Sequence, residues 1–113
     1  MKLNKLILIS LLLYLNTINN EGAPDFNKLA DSINRAENST KHPYGVKSIN
    51  TYGNKLEARK ICINTIKHNY AKWLQYKGNI DFIQFLGNVY APCGVSNLNK
   101  NWVKNVTFYY NKL

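Results

Sequence analysis

Asp25-Phe26-Asn27-Lys28-Leu29-Ala30-Asp31-Ser32-Ile33-Asn34-Arg35-Ala36-Glu37-Asn38-Ser39 is the stretch whose pattern decides the fold. Its apolar residues Phe26, Leu29, Ala30, Ile33 and Ala36 recur at the spacing of one helix face, so the stretch predicts an amphipathic helix with its apolar stripe turned inward. Asp25 stands at the expected start, where the positive end of the helix dipole favours a carboxylate. Asp31 lies four residues before Arg35, the spacing of an exposed helical ion pair.

Outward from this helix the pattern changes. Residues 39–53 mix Ser39, Thr40, Pro43, Gly45, Ser48, Thr51 and Gly53 with Tyr44, Val46, Ile49 and Tyr52 without a helical period, which predicts a loop or a short irregular β-hairpin. Asn54 followed by Glu57 resembles a capping box, and the apolar positions Leu56, Ile63, Ile66, Tyr70, Trp73 and Leu74 predict a long second helix from Lys55 to Lys77, before Gly78. Asp81 ahead of Phe82, Ile83, Phe85, Leu86, Val89 and Tyr90 predicts a short capped helix that stops near Pro92 and Gly94. Asn99 is a candidate cap for a last helix carrying Trp102, Val106, Tyr109 and Tyr110 on one side. The fold class is therefore mainly α: a small domain of about four helices with one loop or hairpin after the first.

Composition agrees with a single small domain. The chain has 113 residues, 45% of them hydrophobic and 19% charged, with six Gly and three Pro, which excludes a disordered or collagen-like polymer. Fifteen Lys and Arg against six Asp and Glu give a formal charge of +9, which favours an anionic partner. At the N-terminus Lys2 and Lys5 precede an apolar run from Leu6 to Leu15 and then polar Asn16, Thr17, Asn19 and Asn20, the pattern of a secretory signal peptide. The run is well short of the roughly 20 residues that a membrane-spanning helix needs, so no stable span is expected once it is removed. The expected division is residues 1–22 as signal peptide and 23–113 as the domain, in the periplasm or outside the cell. In that oxidising setting a bridge between Cys62 and Cys93 would add about 2–4 kcal/mol, the alternative being two buried thiols. His42 and His68 lack the close pairing of a metal cage, so neither a metal nor a cofactor is expected.

The acidic residues of the domain can be sorted by the work each has to do. Asp25 and Asp81 begin helices, Asp31 faces Arg35, and Glu57 belongs with Asn54. Glu37 is left over. It stands in the last turn of the first helix, facing the negative end of the dipole at a cost of about 0.3–1 kcal/mol. It also follows Ile33 by four positions and Ala30 by seven, so it projects from the apolar face. A carboxylic acid held in such surroundings suits a glycosidase, which must protonate a leaving oxygen. The plain alternative is a glutamate that helps Asn38 or Ser39 to end the helix. Tyr44 and Tyr52 are claimed by no helix face and so are candidates for stacking on a ligand as well as for packing, whereas Trp73 and Trp102 occupy helical apolar positions and are expected in the core.

Ala36-Glu37-Asn38-Ser39 closing the first helix, followed by Pro43-Tyr44-Gly45-Val46-Lys47-Ser48, resembles the small secreted lysozyme-like proteins of bacteria, a divergent branch of the lytic transglycosylases. Ala58-Arg59-Lys60-Ile61-Cys62, Asp81-Phe82-Ile83-Gln84-Phe85-Leu86-Gly87, Tyr90-Ala91-Pro92 and Asn101-Trp102-Val103-Lys104-Asn105-Val106 continue the resemblance in order, from residue 25 to about residue 110. It implies a lysozyme-like α fold with Glu37 as the catalytic acid and base, and Tyr44, Ser48 and Tyr90 lining a glycan groove. Larger transglycosylases carry a Gly-Leu-Met-Gln-type stretch where this chain has Tyr44-Gly45-Val46-Lys47.

The activity implied is cleavage of the β-1,4 bond between N-acetylmuramic acid and N-acetylglucosamine in peptidoglycan by one glutamate, yielding a 1,6-anhydro product. A hydrolase would normally use a second carboxylate about 5–10 Å away. The sorting above leaves none, which favours the lyase. A monomer acting on glycan strands is expected. The rival reading is a non-catalytic cationic module that binds cell-wall polymer or protein. Nucleic acid is disfavoured because the basic residues are spread along the chain instead of clustered with aromatics.

Overall fold

The computed structural model describes residues 22–47, 54–91 and 97–113. Among them the protein is helical: α1 spans Phe26–Glu37, a single 3₁₀ turn covers Pro43–Gly45, α2 spans Lys55–Leu74, α3 Phe82–Tyr90 and α4 Leu98–Lys112. No described residue is in a strand. The segment after α1 is thus a loop with one 3₁₀ turn as far as Lys47, and residues 48–53 lie outside the described part.

Helix α1 is the central element, packed against α4, α2 and the 3₁₀ turn, while α3 leans on both α4 and α2. Its stripe works as its spacing predicts. Leu29, Ala30 and Ile33 are fully buried and meet Ala58, Cys62 and Ile66 of α2, Leu86 of α3 and Val106 of α4 in one core. An aromatic cluster closes the end of this core, with Tyr70 edge-on to both Phe26 (5.5 Å between centroids) and Phe82 (5.1 Å) and tilted against Trp73. Such edge-to-face contacts suit the ring quadrupoles and add specificity to plain area burial.

The helix ends follow local chemistry. Asp25 accepts the Lys28 N–H, and Asn54 accepts that of Glu57. Asp81 and Gln84 form a reciprocal capping box. Two boundaries differ from the sequence expectation. Helix α2 ends at Leu74 because Trp73 Nε1–H donates to the Ile80 carbonyl at 3.0 Å, folding the chain back before Gly78. Asn99 is not a cap; the last helix begins one residue earlier, and the Asn99 amide donates to the Ala91 carbonyl (2.6 Å) and to Asn88 Oδ1 (3.1 Å). It therefore ties α4 to the end of α3, supplying a donor to a carbonyl that a helix terminus leaves open.

Candidate active site

Glu37 is the last residue of α1, and the backbone reverses immediately after it. Asn38 takes a left-handed conformation (φ 46°), its N–H closing on the Asn34 carbonyl. The chain then folds back over α1 through the 3₁₀ turn, where Tyr44 also has positive φ (59°). That conformation is uncommon for a side chain of this size and is held from both ends. The Tyr44 N–H donates to Asn34 Oδ1 at 2.8 Å and the Tyr44 hydroxyl to Asp31 Oδ1 at 3.2 Å.

Asp31 is the anchor of this arrangement, and its partner differs from the expected one. Arg59 on α2 grips it with two prongs, Nε to Oδ1 at 3.0 Å and Nη2 to Oδ2 at 3.2 Å, so the ion pair joins two helices instead of decorating one. A planar guanidinium matches a carboxylate bidentately, which the i,i+4 alternative with Arg35 does not require. The hydrogen bond that Arg59 donates to Asp31 pushes the Arg59 pKa up, and burial, reinforced by Asp31, does the same to the Tyr44 hydroxyl.

Tyr44 is consequently not placed as a glycan contact. Its ring is buried and it lines neither of the clefts that open on Glu37. Its job is to fix the turn. What the turn presents to Glu37 is Gly45, at φ 69°, where a Cβ would stand 3.1 Å from Tyr90 Cε1 and 3.3 Å from Glu37 Cγ. A side chain here would be strained by the conformation and would press on both neighbours, which favours glycine.

Two clefts meet at the glutamate. One, of about 260 Å³, runs between the turn and α2 past Val46, Ile61 and Thr65. The other, of about 390 Å³, runs along α4 past Leu98, Asn101 and Trp102. Glu37, Lys47 and Tyr90 line both, so the carboxylate lies where they join, with a cation and an aromatic ring beside it. Among the described residues no other carboxylate lines either cleft.

Trp102 is the neighbour of Glu37 that the sequence pattern hid. Its ring is in the core, as its place on α4 predicts, but its Nε1–H donates to Glu37 Oε1 at 2.9 Å. The available signal was that a buried indole N–H needs an acceptor and no residue of its own helix supplies one. Tyr90 stacks on Trp102 at 5.2 Å and 14°, and its hydroxyl contacts Cys62 Sγ at 3.5 Å. Tyr90 lines both clefts beside Glu37, with its ring as cleft wall and its hydroxyl turned to the core, where burial pushes its pKa well up.

Cys62 is a buried free thiol whose pKa burial pushes up to about 11, partly offset by Tyr90. Cys93 lies outside the described residues, as do Ser48 and Tyr52. Among the described residues no three metal-ligating side chains come together, and no helix is long and apolar enough to cross a membrane. No protein-family model, curated protein or solved structure matches the chain, so what speaks for its function is the geometry around Glu37.

Proposed function

We propose that the protein is an exported, lysozyme-like lytic transglycosylase that cleaves peptidoglycan glycan strands, with Glu37 as its single acid and base. The observation that carries this reading is the position of Glu37: a half-buried carboxylate at the junction of two clefts, gripped by Trp102 on one oxygen. The other acids of α1 and α3 have structural work, Asp25 and Asp81 as caps and Asp31 between Arg59 and Tyr44.

In the first half of the reaction Glu37 gives its proton to the glycosidic oxygen as the bond to C1 of N-acetylmuramic acid breaks, and the N-acetyl group stabilises the positive charge at C1. In the second half Glu37, now a carboxylate, takes the proton of the C6 hydroxyl as O6 bonds to C1. The anhydro end forms, the proton returns to Glu37, and no water is consumed. Apolar Val89 and Leu98, both exposed at the cleft walls, suit the apolar faces of sugar rings. Lys47 suits the carboxylates of the peptide stem.

The test is product analysis of purified sacculi incubated with the domain of residues 23–113. Anhydro-muropeptides from the wild type and none from Glu37→Gln are expected. Reducing ends would replace the lyase by a hydrolase, and intact glycan from the wild type would overturn the enzymatic reading in favour of a cell-wall binder.

A further inference from the structure

We infer that Trp102 is the positioning residue of the site, fixing which oxygen of Glu37 carries the proton. This rests on Glu37 being the acid proposed above. An indole N–H is a donor without a lone pair on that nitrogen, so the oxygen it binds must accept. When Glu37 is protonated, the oxygen facing Trp102, Oε1, is held as the carbonyl oxygen and the proton goes to Oε2. The carboxylic acid is thereby presented to the substrate in one orientation instead of two.

Rigidity of the donor comes from the residues behind it. Trp102 is 7% exposed, its ring plane is fixed by the parallel stack with Tyr90, and Tyr90 is itself anchored by Cys62 on α2. Gly45 leaves the opposite side clear, since a Cβ built on it would crowd the Tyr90 ring at 3.1 Å and the Glu37 stem at 3.3 Å. Three helices and the 3₁₀ turn thus converge on one carboxyl group, the supporting shell that a proton donor needs to act in a fixed geometry.

The indole ¹H–¹⁵N resonances test this without any glycan. There are two tryptophans, and Trp73 donates to a backbone carbonyl, which makes it an internal control. In the wild type the Trp102 resonance should move as the solution is acidified while that of Trp73 stays in place, and in Glu37→Gln the Trp102 movement should vanish. Tyr90 and Cys62, which also face Glu37, hold their protons into alkaline solution, Lys47 is present in both proteins, and the Gln control separates Glu37 from Asp31. A Trp102 resonance that moves equally in both proteins, or in neither, overturns the assignment.

The kinetic arm uses Trp102→Phe, with an unmoved Trp73 resonance as evidence that it folds. The expected result on sacculi is a kcat lower by about 10- to 100-fold with KM little changed, since a misoriented acid loses rate and not binding. A folded Trp102→Phe enzyme with wild-type kcat overturns the positioning role. Wild-type protein that cleaves nothing overturns the transglycosylase proposal instead, and the resonance comparison still decides whether Trp102 holds Glu37.

Discussion

Glu37 carries an unfavourable interaction with the end of α1 and a favourable one with Trp102, and the balance of the two sets the outcome of substitution. The dipole opposes the charge by about 0.3–1 kcal/mol. Replacing a charged acceptor by a neutral one weakens a hydrogen bond by a comparable amount, about 0.5–1.5 kcal/mol. Glu37→Gln keeps an acceptor for the indole, so its stability should stay within about 1 kcal/mol of the wild type in urea denaturation. Glu37→Ala leaves the buried N–H without an acceptor and should cost about 1–3 kcal/mol. An alanine variant as stable as the glutamine one would mean that the Trp102 contact contributes nothing. Cys62 supplies a second prediction at this scale. Its thiol holds its proton to about pH 11 in the folded chain, against an ordinary value of 9.0. Below pH 9 both states are protonated and stability does not depend on this group. Between pH 9 and 11 the unfolded chain releases a proton that the folded chain keeps, so stability falls as pH rises, by about 2–3 kcal/mol in all, and then levels off. Under reducing conditions the wild type should show this loss beyond that of Cys62→Ala; equal slopes would argue against a buried protonated thiol.

Between elements, the contact that most constrains the site is the crossing of α3 and α4. Gly87 lies on the inner face of α3, where a Cβ would come 2.8 Å from Val103 Cγ2 and 3.3 Å from Trp102 Cε3. Alanine in place of a helical glycine gains about 1 kcal/mol of helix propensity. Forcing a methyl group into a packed interface costs about 1–3 kcal/mol, so the steric cost should win. Gly87→Ala is therefore expected to lower the melting temperature and, by pushing on Trp102, to reduce glycan cleavage further than the stability loss explains. A more stable and fully active variant would show that α3 and α4 have room to separate. The same scale explains the Asp31–Arg59 pair. Its side chains are 42% and 34% exposed, so water screens the charges, and its value lies in fixing the turn against two helices more than in energy.

For the whole molecule, the charge of +9 and the Glu37 carboxylate in the clefts have separable consequences. Attraction to an anionic polymer depends on the summed field, which added salt screens over a Debye length of about 10 Å at 0.1 M. Glu37→Gln protein should therefore still sediment with sacculi at low ionic strength and be released as salt is raised, even with the proposed acid removed. Binding that ignores salt would place the affinity in the clefts and not in the field. The four helices, the buried stripe of Leu29, Ala30 and Ile33, and the caps at Asp25, Asn54 and Asp81 were determined by the sequence, because periodicity and capping act within a few residues. The singling out of Glu37 belongs here too, since its clash with the helix dipole is local. The partners of these groups were decided only by the tertiary structure. Asp31 has an equally well-spaced Arg35 in its own helix yet binds Arg59, Tyr44 turns inward from a polar loop, and Trp102 reaches Glu37 across 65 positions of chain. A helical pattern states which face is buried; which donor meets which acceptor there depends on how the helices cross.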